Sequence, residues 1–220
     1  GAAGEFRIGA EYSNDTRVLA LNVSLEEEDG GLVATALGLP DTPSVALTLR
    51  GEAPIDDYAA DLTIATDGVE RIAGMFGFVT VEGEGQDVQL DVAGDVTALI
   101  ETEYAEFFGP DTRLALQGSR GADGSISLRE LLVQSRALDL TGSAAIGADG
   151  WPEALSLQGR IAAQDGGAVT LPVAGGETQV MGVTLDLGFD AASGDAWTGD
   201  FEIDGLTRPG LTIPTLTLSG

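Results

Sequence analysis

Large apolar residues stand at every second position through most of this chain. Leu19, Leu21, Val23 and Leu25 alternate with Ala20, Asn22 and Ser24, and Val88, Leu90 and Val92 with Gln89, Asp91 and Ala93. Val183, Leu185, Leu187 and Phe189 alternate with Thr184, Asp186, Gly188 and Asp190. Successive side chains of a strand point to opposite faces, so a period of two gives each strand one apolar and one polar face. That is the pattern of antiparallel sheet with one wet side, not of parallel strands buried on both. The chain is therefore read as all-β.

A looser unit repeats on top of the alternation: large apolar, any, large apolar, any, glycine. It occurs as LTLRG (47–51), VTVEG (79–83), LDVAG (90–94), LALQG (114–118), LDLTG (138–142), LSLQG (155–159), FEIDG (201–205) and LTLSG (216–220). Its irregular spacing argues against a fixed-period solenoid and for hairpin modules of varied length, all facing the same way. Asp-Gly occurs at 29–30, 67–68, 123–124, 149–150, 165–166 and 204–205, the first five between alternating runs. This dipeptide suits the positive φ angles of tight hairpin turns. Phe76 and Phe78 are followed out of phase by Val79 and Val81, which predicts a bulge or a change of face. The count comes to about a dozen strands, more than an open twisted sheet usually carries without curling or splitting into two layers. Two architectures follow: a long antiparallel sheet curled into a folded-over trough, or a closed β-sandwich.

One stretch breaks the pattern. In Asp95–Pro110, Val96, Leu99, Ile100, Tyr104, Phe107 and Phe108 fall at the spacing of one helix face, with Glu101, Glu103 and Glu106 opposite. Asp95 is an N-cap candidate and Gly109-Pro110 a stop signal, so a short amphipathic helix is predicted near 96–108, as a lid or cap on the sheet.

Composition narrows the chemistry. Cysteine, histidine and lysine are absent, which removes thiolate nucleophiles, the usual general base and zinc ligand, and any Walker motif. The net charge of −26 repels nucleic acid. Asp200, Glu202 and Asp204 share a strand face, but opposite Phe201 and Ile203 they read as its wet side. Asp56-Asp57 and Glu26-Glu27-Glu28-Asp29 read as solvated turns. We expect no enzyme, no cofactor and no metal. The sequence lacks an initiator Met and ends inside a strand pattern, so residues 1–220 are expected to form one β-rich segment of a longer, repeat-like array.

The large signal is apolar. Leu47, Leu49, Val88, Leu90, Val92, Leu114, Leu116, Leu138, Leu140, Leu155, Leu157, Val183, Leu185, Leu187 and Phe189 are candidates for a single greasy face. At about 1.5–3 kcal/mol for each buried side chain, such a face represents tens of kcal/mol of cover. Water does not supply that cover, so the face meets a second sheet layer, the predicted helix or an acyl chain.

The run LDVAGDVTALIETEYAEFFGPDTRLALQG, followed by RALDLTGSAAIGADGWPEALSLQGRI, resembles the TamB-like large subunit of the bacterial translocation and assembly module; LPDTPSVALTLRGEAPIDDYAADLTIATDGVERIAG is similar in style. Together they cover roughly residues 39–162, with Phe107-Phe108-Gly109-Pro110 and Gly150-Trp151-Pro152 among the matching phrases. The resemblance implies a β-taco trough with an apolar interior, in a periplasmic protein anchored in the inner membrane. It also implies phospholipid as cargo, an outer-membrane barrel partner and a role in outer-membrane assembly. On this reading the fifteen apolar residues line a lipid groove. A β-rich spacer or adhesin-type module with a dry core, and a scaffold that assembles outer-membrane proteins through strand edges, remain as alternatives.

Overall fold

A computed structural model of the chain describes residues 4–173, 176–194 and 196–220. The alternating runs become β1 (Gly4–Tyr12), β2 (Val18–Glu27), β3 (Val45–Pro54), β4 (Asp57–Thr66), β5 (Val69–Val81), β6 (Gly85–Gly94), β7 (Thr112–Gly121) and β8 (Ile126–Gln134). They continue as β9 (Leu138–Ile146), β10 (Pro152–Ile161), the short β11 (Val169–Thr170) and β12 (Gln179–Val180), then β13 (Gly182–Asp190), β14 (Trp197–Arg208) and β15 (Leu211–Ser219). All fifteen lie in one antiparallel sheet that follows chain order from β1 to β10 and passes through β13 and β14 to β15. Among the described residues the sheet does not close: β1 and β15 are its outermost long strands.

Turn chemistry sets the meander. Asp67 and Gly68 both have positive φ, 52° and 72°, which makes the β4–β5 connection a type I′ hairpin whose twist matches the strands. Gly205, the Asp-Gly glycine that does not separate two runs, has φ 61° in the interior of β14, where the alternation slips. Phe76 to Val81 pair with β6 in unbroken register, so Val79 and Val81 mark a change of face, not a bulge.

Two helical segments depart from expectation. The helix predicted near 96–108 is realised only at its end, as a 3-10 turn at Thr102–Tyr104 and one α turn, α2 (Ala105–Phe108). The Asp95 carboxylate accepts from the Thr97 backbone N–H at 2.9 Å and from its hydroxyl, forming a local turn that diverts the chain instead of capping a helix. Gly109 ends α2 with φ 67°, as its position predicted. The other segment, α1 (Leu32–Leu37), was not foreseen; its first N–H groups are satisfied by the Glu27 carboxylate, 2.7 Å from the Val33 nitrogen. Glu27 is thus a capping residue at the end of β2 and not part of a solvated turn.

Little of the molecule is dry. The buried apolar residues among those described are Ala34, Val45, Tyr58, Ala60, Phe107, Ala115, Ala137, Val169 and Val180. The chain exposes 13039 Å², where a compact monomer of 22.4 kDa would expose about 9,400 Å². A closed sandwich would bury that difference between its layers. The open trough, not the sandwich, is therefore the architecture.

Candidate functional site

Register decides which side chains share a face. Ile8 lies opposite Val23, Val23 opposite Leu49, Leu49 opposite Leu62, Leu62 opposite Gly74, and Gly74 opposite Val92. The same row continues through Leu114, Val133, Leu140, Gly159, Leu185 and Phe201 to Leu218. Every long strand contributes an apolar residue or glycine to this one line. A parallel row runs Phe76, Leu90, Leu116, Leu131, Gly142, Leu157, Leu187.

All fifteen predicted residues lie on this face, and each is half-buried: none is sealed and none fully exposed. Their polar neighbours on the reverse, such as Asp91, Gln117, Asp139, Gln158 and Asp186, are exposed. A sheet with nothing laid on it shields one face more than the other when it curves around that face, so the apolar side is the inner one. Glycines make room there. A Cβ at Gly159 would stand 3.0 Å from Leu140 Cδ1, and one at Gly142 would stand 2.9 Å from Leu157 Cδ1, so leucines of neighbouring strands lie over the bare backbone. At Gly74 a Cβ would come within 2.0 Å of the Asp91 carbonyl oxygen, a backbone approach open only to glycine. The repeat unit accordingly points its apolar pair and glycine inward, with one correction: VTVEG at 79–83 presents Val79 and Val81 to the outer face, 37% and 41% exposed.

The two rims differ. The longer connections, β2–β3, β6–β7 and β10–β13, all lie at one end of the strands. There Phe107, Ala137, Val169 and Val180 form a dry cluster against Phe108, Leu138, Ile161, Val183, Ile203 and Leu206. Arg136 and Ala137 donate their backbone N–H groups to the carbonyls of Phe108 and Phe107, 2.9 and 3.0 Å away. Phe107 and Phe108 therefore cap the end row Leu138–Ile161–Val183–Ile203 of the greasy face. Of the other predicted cap residues, Val96, Leu99, Ile100 and Tyr104 are half-buried but do not belong to that cluster. At the opposite rim Tyr58 is buried beside Phe78, with ring centroids 5.7 Å apart, whereas Phe189 stacks on Trp197 with centroids 4.8 Å apart and Trp197 remains 52% exposed. Among the described residues, the charges that reach the inner face lie at its borders, among them Glu27 and Arg71, whose Nε–H donates to the inner-face Thr66 hydroxyl at 2.9 Å, at the capped rim, and Arg120 at the open one.

The outer face is polar and paired. Arg113 grips Asp91 with two hydrogen bonds of 2.9 and 2.7 Å, and this holds the Asp91 carboxyl below the usual carboxylate range. Arg129 reaches Asp87 at 2.9 Å. Asp95 and Asp123 are also lowered, by hydrogen bonds from Thr97 and Ser125. Asp91, Asp95 and Asp123 are thus shifted away from, not toward, the raised value that a general acid requires. Asp200, Glu202 and Asp204 lie exposed on the outer face, the Asp56 carboxylate sits 3.4 Å from Arg17, and no group of metal-binding side chains converges among the described residues. A depression of about 800 Å³ over β1–β4 is lined by Glu11, Asn22, Arg50, Glu52 and Asp61 together with Ile8, Leu21 and small residues.

Several members of the inner face were not among the predicted groove residues. Tyr58, Ala60, Leu62 and Ile64 of β4 alternate with polar and small residues in DYAADLTIAT, a signal visible in the sequence. Leu128 and Leu131 of β8 are three apart and share a face only because a bulge intervenes, which alternation alone hides. Compared with protein-family models, curated proteins and solved structures, the chain has no match.

Proposed function

We propose that this chain is a periplasmic segment of a TamB-like bridge, whose inner face shields phospholipid acyl chains between the inner and outer membranes in support of outer-membrane assembly. The observation that carries the reading is the unbroken apolar row from Ile8 to Leu218, uncovered along its length and free of charge between its rims. Each acyl methylene gains about 0.8 kcal/mol on leaving water, so a lipid tail requires continuous apolar cover to cross an aqueous gap. Thirteen strands at about 4.8 Å spacing give a path of about 58 Å, several times the ~15 Å depth of one hydrocarbon leaflet. A path longer than its cargo, with similar apolar residues at each step of the row, lets a tail slide instead of trapping it. The capped rim closes one side, so head groups project at the rim that holds Trp197 and Arg120. In this reading the anchor and the contacts with an outer-membrane barrel subunit belong to parts of the parent protein beyond this segment.

The experiment is extraction of the purified chain with organic solvent and mass spectrometry of the extract, with photocrosslinkers at Leu90 and Leu157. Phospholipid recovered with the protein and crosslinked at both positions supports the reading. A lipid-free chain whose crosslinkers give only intramolecular products overturns it in favour of a passive β-rich spacer. Adducts with unfolded outer-membrane proteins would instead favour the assembly scaffold.

A further inference from the structure

Most arginines of this acidic chain have a side-chain partner. Arg17, Arg113, Arg129 and Arg136 bridge to carboxylates, and Arg50 and Arg71 bond to Asn22 and Thr66. Among the described residues, Arg120 and Arg160 have none, although the sequence holds 36 acidic residues. Arg160 faces outward, opposite Asp139 and Thr184. Arg120 faces the trough. It is exposed in the row nearest the open rim, between Gln86 and Ile126, and the Gln86 amide donates to the Thr80 hydroxyl at 3.4 Å. Two residues deeper on β7, Gly118 stands between Val88 and Leu128, and Leu116 follows beside Leu90 and Leu131. A row of donors thus meets the apolar rows across one glycine step of about 7 Å that carries no side chain. Carboxylates stand just above it. Glu82 and Glu84 of the β5–β6 turn and Asp123 of the β7–β8 turn are exposed, and the Ala122 N–H joins the two turns by donating to the Glu84 carbonyl at 3.1 Å.

We propose that Arg120, together with Gln86, binds the phosphodiester of a phospholipid whose head group is ethanolamine, with the ammonium end toward Glu82, Glu84 and Asp123. The order of groups along the sheet matches the order along such a lipid. Apolar rows at Leu116 and Leu90 take the tails, the bare step at Gly118 takes the glycerol, and Arg120 meets the first charge. A guanidinium suits a phosphodiester because its planar fork donates to two oxygens at once. The turn carboxylates then decide the head group. An ammonium answers their charge, whereas an uncharged glycerol head group leaves the phosphate's negative charge uncompensated beside them. Because the carboxylates do not bridge to Arg120, both halves of the zwitterion find an unoccupied partner among the described residues. This site presupposes that the trough holds acyl chains, as proposed above.

The test is a competition. The chain is incubated with vesicles of phosphatidylethanolamine and phosphatidylglycerol in equal parts, with a minor share of diacylglycerol, all with the same tails. It is then re-isolated, and each bound lipid is quantified by mass spectrometry relative to its share in the vesicle. The wild-type chain is expected to be enriched in phosphatidylethanolamine over both other lipids. Arg120→Gln lowers phosphatidylethanolamine about fivefold, to the level of diacylglycerol, and leaves diacylglycerol unchanged. The double change Glu82→Gln with Glu84→Gln raises phosphatidylglycerol relative to phosphatidylethanolamine. Arg129→Gln, which removes a cation from the outer face, alters none of the ratios, and circular dichroism checks that every variant keeps its β signal. A wild-type chain that takes up no lipid overturns the groove and this site together. Lipid bound in the same ratios by wild type and Arg120→Gln, or a uniform fall that includes diacylglycerol, overturns the site and leaves the groove standing. A preference for phosphatidylglycerol overturns the selection of the head group.

Discussion

Leu140→Asp separates an open face from a sealed core. Leu140 sits in the continuous row between Val133 and Gly159, half-buried, with no layer above it. Losing the leucine forfeits about 2 kcal/mol of apolar burial, and aspartate in a strand costs up to about 1 kcal/mol more. The new carboxylate still reaches water along the trough, so the total stays near 2–3 kcal/mol. For a chain of this size that lowers Tm by about 5–10 °C and leaves the fold intact. In a dry core the same carboxylate would be an unpaired buried charge, adding several kcal/mol against a total stability of about 5–15 kcal/mol. The assay is thermal unfolding followed by far-ultraviolet circular dichroism, with lipid extraction from the same preparation. The expected result is a folded protein with a modestly lower Tm and reduced lipid. Loss of the β signal at room temperature would refute the open face, and an unchanged lipid yield would refute its role in binding.

Three further outcomes follow from the geometry. Phe107→Ala empties the dry cluster at the capped rim and should cost about 3 kcal/mol in denaturant unfolding, with faster amide exchange at Arg136 and Ala137, whose N–H groups bond to the α2 carbonyls. Glu27→Ala removes the acceptor for the Leu32 and Val33 amides and should cost about 1 kcal/mol, seen as accelerated exchange confined to α1. The Asp91 carboxyl titrates below its ordinary value because Arg113 hydrogen-bonds it, so the pair stabilises the fold above about pH 3.9 and loses that contribution as pH falls through the depressed value. The Tm difference between wild type and Arg113→Gln should therefore shrink from about pH 6 to about pH 3, and a difference that widens on acidification would contradict the pairing.

Alternation by itself determined that the chain is antiparallel β with one greasy and one wet face, because a period of two leaves a strand no other way to segregate its side chains. It also identified the fifteen inner-face residues, and Asp-Gly marked hairpins such as β4–β5 through the φ values that the turn demands. Where local and tertiary terms compete, the sequence was silent. The spacing from Val96 to Phe108 satisfied a helix, yet Asp95 bonding to Thr97 and the backbone bonds from Phe107 and Phe108 to residues 136–137 left only one α turn. The short α1 was hidden because its stability comes from Glu27, a residue that reads as part of an acidic turn until β2 is seen to extend to it. The bulge in β8 conceals Leu128 and Leu131 for the same reason: a register shift is a property of two strands, not of one. Whether the sheet closes on itself could only be decided in three dimensions. Burial depends on what lies above a face, and the answer came from half-buried leucines with nothing packed over them.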